Sequence, residues 1–339
     1  MRGRVPSTDR FLENRGIAIV IVLWVVLVLS LLISGFAFTM HVETQVASYA
    51  RKELKAEMLA RSGVEVAKMQ LILGALSPTN SGFDALNQDW ATNELMYVDH
   101  ELGDGIFNVK VTDEESKIPI NRATDLQLKR LCGLLGADPA DGDVITDSIL
   151  DWIDTDDLTR LNGAESDYYE SLSPPYHAKN GPLDRVEELL LIRGVTPELY
   201  YGTPATDTDP ARPGLEDVFT TMTSGSINVN TASAIVLQTL GLDDTQVQAV
   251  LSRRDGPDGI PGTDDDLPFH SADEFFAAVG GLDPVTKQAA QAFVTVNSSF
   301  FTVRSTGQVG GVKRTILATL YRQGAKVQTV MWREVREGM

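Results

Sequence analysis

Residues 17–40 read IAIVIVLWVVLVLSLLISGFAFTM, a run without one charged side chain. From Ile17 to Phe38 alone it would extend roughly 33 Å as a helix, enough to cross a hydrocarbon core of about 30 Å. Upstream, Arg2, Arg4, Arg10 and Arg15 outweigh Asp9 and Glu13, and positively charged flanks stay on the cytoplasmic side. The pattern predicts a leader over 1–16, a transmembrane helix over 17–40, and everything beyond it on the far side of a membrane. A buried core helix is the bland alternative, but the run is too long and too uniformly apolar for one. A cleaved secretory signal is the stronger rival. Against it, the run exceeds a usual signal core, no small-x-small site closes it, and the next segment continues the helical pattern.

The chain of 339 residues carries a formal charge of −18, and more negative still once the basic leader is set aside. Nucleic acid is held through Lys and Arg, so this surface argues against a nucleic-acid partner. The lone cysteine, Cys132, sits on an apolar helical pattern with Leu128, Leu131 and Leu135, which reads as core packing and excludes an intrachain disulfide framework. The four histidines are scattered, and there is no HExxH, Walker loop or Gly-x-Ser-x-Gly. The chain reads as a non-enzyme.

From His41 to Leu76, Val42, Val46, Tyr49, Leu54, Met58, Leu59, Val64, Val66, Met69, Leu71 and Leu73 recur at helical spacing among charges. This predicts one amphipathic helix that prolongs the membrane span and ends before Ser77-Pro78. Ile106–Val111 alternates as a strand. After Asn297, three β-rich segments (Phe300–Arg304, Arg314–Arg322 and Val327–Arg333) are separated by glycine turns and read as an antiparallel meander. The strand at 106–111 has no neighbour in sequence to pair with, so it is expected to join this meander. That makes 118–297 an insertion.

The insertion carries an internal duplication. Ile118-Pro-Ile-Asn-Arg-Ala-Thr resembles Ile227-Asn-Val-Asn-Thr-Ala-Ser, and short helices broken by Gly and Pro follow each. The expected fold class is α+β: a long N-terminal helix (membrane-spanning at 17–40) and first strand within 41–117, and a small antiparallel sheet completed by 298–339. Between them lie two related all-helical subdomains at 118–226 and 227–297. The hairpins Leu240-Gly-Leu-Asp-Asp244 and Gly280-Gly-Leu-Asp-Pro284 have a helix–hairpin–helix pattern, but their carboxylates stand where a DNA phosphate would sit.

Two acidic loops could hold a metal. One contains Asp154, Asp156, Asp157, Asn162, Glu165 and Asp167; the other contains Asp255, Asp258, Asp264, Asp265 and Asp266 with Gly259 and Gly262. Closely spaced carboxylates with glycine turns suit Ca²⁺, although neither loop has EF-hand spacing. Solvated acidic loops are the alternative.

A half-membrane, half-packing helix followed by a small sheet resembles the type IV pilins and pseudopilins. Asn14-Arg15-Gly16-Ile17 resembles a prepilin peptidase site, cut after Gly16 to leave Ile17 first. The fifth residue after the cut is Ile21 where most of that family carry Glu. Lack of this Glu together with a large helical insertion resembles minor pseudopilin K of type II secretion systems, the GspK family. So do Leu150-Asp-Trp-Ile-Asp-Thr-Asp-Asp157, Gly163-Ala-Glu-Ser-Asp-Tyr-Tyr169, Pro174-Pro-Tyr176 and Ile227-Asn-Val-Asn-Thr-Ala232. The resemblance implies a tip subunit of the secretion pseudopilus, anchored in the bacterial inner membrane with its bulk in the periplasm. It implies minor pseudopilins I and J and the prepilin peptidase as partners. It also implies Ca²⁺ in the inserted domain, with Asp154, Asp156, Asp157, Glu165 and Asp167 and then Asp255, Asp258, Asp264 and Asp266 as candidate ligands. The alternatives are a membrane-anchored helix–hairpin–helix DNA-uptake receptor and a type IV pilus tip subunit. The leader makes one direct prediction: mass spectrometry of the mature chain gives an N-terminus at Ile17, N-methylated. An N-terminus past residue 30, or a retained Met1, would exclude it.

Overall fold

The computed structural model describes residues 9–79, 82–205 and 211–335. Residues 1–8 of the expected leader lie outside this set. A single helix, α1 (Asp9–Leu76), runs through the end of that leader, the apolar run and the amphipathic segment without a break. Its stretch Ile17–Leu76 holds a window apolar enough to cross a membrane, none of it buried against the rest of the protein.

Two one-turn helices follow, α2 (Asp89–Thr92) and α3 (Glu94–Tyr97), then β1 (His100–Leu102) and β2 (Gly105–Asp113). The insertion starts at β3 (Ile118–Pro119) and continues with α4 (Asp125–Leu134), α5 (Pro139–Ile153) and α6 (Ser166–Glu170). A 3₁₀ segment at Val186–Leu191, α7 (Pro197–Tyr201), α8 (Leu215–Val218) and β4 (Phe219–Thr220) complete its first half. The second half is β5 (Ile227–Asn228), α9 (Ala234–Thr239), α10 (Asp244–Arg254), α11 (Ala272–Val279), α12 (Pro284–Gln291) and β6 (Val294–Thr295). The chain then returns as β7 (Phe300–Val309), β8 (Val312–Gln323) and β9 (Lys326–Val335).

The main sheet has the order β1-β2-β7-β8-β9 and is antiparallel throughout. β2 pairs with β7 from Ile106 opposite Gln308 to Asp113 opposite Phe301, so the expected pairing across the insertion is present. β1 is an addition to the sequence reading. The insertion is helical except where parallel two-residue pairs tie its ends, β3 to β4 and β5 to β6. These pairs were missed because two residues of β-propensity carry no periodicity.

The helix face that packs on the sheet differs from the one expected. Of the large apolar residues on α1, Leu59, Val64 and Leu71 are buried, while Val42, Val46, Tyr49, Leu54, Met58, Met69 and Leu73 are exposed. The seam is lined instead by Ala56, Ala60, Gly63 and Ala67. A methyl group on Gly307 of β7 would overlap the Ala56 carbonyl, and one on Gly63 would overlap the Ser305 hydroxyl. The helix backbone lies almost on the strand, and only small residues permit that approach. Large side chains are displaced outward by the same geometry.

In the insertion, four turns share one construction. Gly136-Ala-Asp-Pro, Gly194-Val-Thr-Pro, Gly241-Leu-Asp-Asp and Gly281-Leu-Asp-Pro each place glycine in the left-handed region, at φ 85, 88, 96 and 65. The polar residue two positions on precedes a new helix. Thr196 accepts from Leu199 N at 3.2 Å, Asp243 from Gln246 N at 2.8 Å, and Asp283 from Val285 N and Thr286 N at 3.0 and 3.1 Å. Both halves share one apolar core that includes Leu128, Cys132, Trp152, Phe219, Ile227, Phe269 and Phe275. A second core lies between α1 and the sheet, with Leu71, Trp90, Phe107 and Phe301.

The insertion leaves and re-enters the sheet through a buried polar junction. Asp113 Oδ2 accepts from Thr231 Oγ1 and Ser298 Oγ at 2.6 Å each and from Asn228 Nδ2 at 3.1 Å. Asp84 accepts from Ser298 N at 2.7 Å and pairs with Arg322 of β8. Glu115 accepts from Ser224 N and Phe300 N at 3.0 Å each. Of these three buried carboxylates, Asp84 is the one paired with the Arg322 guanidinium. Burial, and then the neighbouring Glu115 charge, push the Asp113 carboxyl up to about 8; burial raises Glu115 as well.

A carboxyl raised in the fold stabilises it fully below its unfolded pKa near 4, and that contribution is lost as pH rises through about 8. The melting temperature is therefore expected to fall between pH 6 and pH 9, with Asp113→Asn flattening the fall. A slope left intact by the substitution would assign the titration to other groups.

Candidate metal centre

The last two turns of α5 place Asp147 and Asp151 one turn apart on one buried face. The helix ends at Ile153, and Asp154 begins a loop that closes at Glu165, the residue before α6. Within it, donors already serve some of the acids. Asp147 accepts from Asn162 N and Nδ2 at 3.0 and 3.1 Å. Asp151 accepts from Arg160 N and lies 3.2 Å from Arg160 Nε, and Asp154 Oδ2 lies 3.5 Å from the same guanidinium. Asp156 accepts from Leu158 N at 2.9 Å. Gly163 gives Asp151 its room, since a methyl group there would overlap the carboxylate.

Other oxygens have nothing. Both oxygens of Glu165, which is 3% exposed, are buried without a hydrogen-bond partner, as is Asp154 Oδ1. Burial, then the charges of Asp151, Asp154, Asp157 and Asp156, push the Glu165 carboxyl up to about 7. Buried acceptors without donors are rare in folded proteins, and unpartnered acidic oxygens at a loop are what a hard oxygen-seeking cation takes. The residues therefore fit Ca²⁺ in kind, although among the described residues no three His, Cys, Asp or Glu side chains stand at metal-ligand spacing.

The structure gathers Asp154, Asp156, Asp157 and Glu165 around one region. Asp167 is exposed in the first turn of α6. Asp151, from the last turn of α5, joins the group. Trp152, Tyr169 and Tyr176 pack on one another beneath the loop, with ring centroids 5.1 Å (Trp152–Tyr169) and 5.2 Å (Tyr169–Tyr176) apart.

The second acidic loop is different. Asp255 pairs with the buried Arg254 at 2.7 Å. Asp258 accepts from Ile260 N at 2.8 Å, and Asp266 from Gly262 N at 2.7 Å. Asp265 accepts from Thr263 Oγ1 at 2.6 Å, which holds its carboxyl below the usual range. Asp264 is exposed. Here the loop's own N–H and O–H groups, at turns made by Gly256, Gly259 and Gly262 in the left-handed region, serve Asp258, Asp265 and Asp266.

A helix that is apolar through its first half and packed through its second half on an antiparallel sheet defines a pilin-type subunit, here with a helical domain spliced between β2 and β7. Two family models, both described as type II secretion system (T2SS), protein K, match residues 105–202 and 227–297. The chain belongs to that family. It is 29% identical over 201 residues to the type II secretion system protein K of Klebsiella pneumoniae, a match covering 56% of this chain and 60% of that protein. It is 24% identical over 362 residues to the Aeromonas hydrophila protein K, covering 98% and 99% of the two chains. Its fold matches a chain in the crystal structure of the GspK–GspI–GspJ complex from the enterotoxigenic Escherichia coli type 2 secretion system. That match has a TM-score of 0.67 at 20% identity, over 87% of this chain and 100% of the other.

Proposed function

We infer that this chain is a structural, non-enzymatic minor pseudopilin that stands at the tip of a type II secretion pseudopilus and initiates or caps its assembly. One observation carries the reading: the insertion sits at the end of the sheet remote from the membrane-spanning half of α1. The turn after β7 lies beside Lys52, and Gly307 lies against Ala56 and Ala60, so this end of the sheet faces the membrane. Asp113 and Phe300, where the insertion leaves and returns, are at the opposite end. A bulky domain there obstructs a further subunit above. Ile21 supports the same place, because a span without a carboxylate at that position cannot neutralise a neighbour's terminal amine. Single-pass insertion in the inner membrane, with the N-terminus cytoplasmic and the bulk in the periplasm, and cleavage by prepilin peptidase belong to this reading.

The DNA-receptor alternative is disfavoured by the hairpins. The helix N-terminal amides that would hold a phosphate already receive Asp243 and Asp283.

The exposed apolar residues Val42, Val46, Tyr49, Leu54 and Met58 continue from the span and suit side-by-side packing with the helices of minor pseudopilins I and J. Full-length chain in detergent should co-purify with both. Asp or Lys at Val46, Leu54 and Met58 should abolish this without lowering the melting temperature, because these residues are exposed in the free chain. A chain that stays monomeric with both partners present at about 10 µM, well above the range of specific assembly, would overturn the reading.

Calcium is the proposed ligand of the 151–165 loop, where it would neutralise carboxylates that no protein donor serves. Ligand at about 100-fold over Kd stabilises a fold by about 2.7 kcal/mol. The protein is thus expected to melt several degrees higher in millimolar Ca²⁺ than in chelator, with Asp154→Ala and Glu165→Ala each removing most of the gain. Magnesium should do much less, since it demands a compact octahedron and keeps its waters. Identical melting in calcium and chelator would leave the loop merely solvated.

A further inference from the structure

The four glycine turns of the insertion form two pairs, and the two pairs are closed differently. In the second half one side chain bridges the Gly241 and Gly281 turns. Gln246 closes a capping box with Asp243 at the start of α10, at 3.0 and 2.8 Å, and its Nε2 donates to the Gly280 carbonyl at 2.9 Å. In the first half the Gly136 and Gly194 turns both line a cavity of about 430 Å³, a size within the range of ligand sites. Five residues on from the glycine, where the second half has Gln246, the first half has Asp141. A carboxylate only accepts, so it cannot donate to a carbonyl across the gap. Asp138, which stands where Asp243 does, makes no capping bond through its side chain. The bridge that joins one pair of turns is therefore absent from the other, and the residue in its place needs a donor from elsewhere.

The walls of the cavity select that donor. Leu135, Val144, Ile145 and Leu199 are apolar, and Asp141 and Glu198 are exposed carboxylates beside them. A lysine or arginine side chain matches this combination, because its aliphatic stem lies along apolar surface while carboxylates hold its charged head. Residues 118–297 contain 30 acidic and 11 basic residues, so the field around the site also draws in a cation. We propose that this cavity is a recognition site for a basic peptide segment of a partner protein, its Lys or Arg head bridging Asp141 and Glu198 and its stem packed on Val144, Ile145 and Leu199. Arg212, whose guanidinium lies against Gly136, meets the backbone carbonyl oxygens of the same segment. The site is at the opposite end of α5 from Asp151 and Asp154 and needs no metal.

The test is titration of a dye-labelled, capped Leu-Lys-Leu peptide, and of Leu-Glu-Leu as its counterpart, into full-length protein in neutral detergent, read by fluorescence anisotropy. Wild type is expected to bind the Lys peptide and not the Glu peptide, with affinity falling as salt is raised. Glu198→Gln should bind about tenfold more weakly, the size of one charge-assisted hydrogen bond. Asp141→Gln installs the residue that closes the other pair of turns, and it should lose binding while melting no lower than wild type. Should it melt lower, Glu198→Gln, on the other wall, decides by its affinity alone. Wild-type affinity in a well-folded Asp141→Gln or in Glu198→Gln, equal binding of the two peptides, or no binding of the Lys peptide would each overturn the proposal. Gln246→Asp is the converse measurement. A lower melting temperature there supports the bridge as the closure of the second pair, and an unchanged one would remove the comparison on which the site rests.

Discussion

Asp113 is the point on which the two halves of the molecule turn. It ends β2, and its carboxylate collects Asn228 and Thr231 from the second half of the insertion and Ser298 from the returning chain. With Asp84, Glu115 and Arg322 it closes a junction between residues more than two hundred positions apart. A two-strand crossing alone would leave an insertion of this size hinged. Removing one partner of a buried, hydrogen-bonded charge pair typically costs about 3–5 kcal/mol, so Asp84 and Arg322 are mutually obligatory. The placement of the insertion on the sheet, and with it the bulk at the far end of α1, follows from this group of side chains.

Much of that architecture could be read in the residues, and the failures have physical causes. The strands at 106–111 and after 297 alternate cleanly because one side of each is buried, and an unpartnered strand had to find the meander. The seam of α1 was misread because hydrophobicity was taken as the measure of burial. At a helix lying almost on a strand the controlling quantity is size, and Ala56, Ala60, Gly63 and Gly307 decide which face turns in. Val46, Leu54 and Met58 then point outward for the same reason, leaving exposed apolar residues that a lone soluble subunit would have no cause to keep.

Ile118–Thr124 and Ile227–Ser233 resemble each other in sequence, and the unit that recurs in the structure is smaller than those segments. Glycine in the left-handed region, one apolar or small residue, an Asp or Thr at the N-cap position, and then Pro or Asp at the helix start recur four times, and at Thr196, Asp243 and Asp283 the side chain caps the helix. Each such turn starts the next helix within a few residues, so short helices stack around one core without long loops. The carboxylate in this unit serves the fold. By binding the helix N-terminus itself, it removes the anion site that the same turn would otherwise offer.

An acidic chain must dispose of its carboxylates wherever it folds them inward, and this one does so in three ways. At the junction, hydroxyl, amide and guanidinium donors are brought from distant segments, and a raised Asp113 carboxyl takes up the remainder as a proton. In the 255–266 loop, glycine turns aim backbone N–H groups at Asp258 and Asp266. In the 151–165 loop neither device suffices. Arg160 reaches Asp151 and the outer oxygen of Asp154, while Glu165 and the inner oxygen of Asp154 are buried without a donor. Spacing in the sequence could not separate the two loops, since both are rich in Asp and both contain glycine. The distinction lies in whether donors are present after folding, and that depends on Arg160 and Gly163 as much as on the acids themselves.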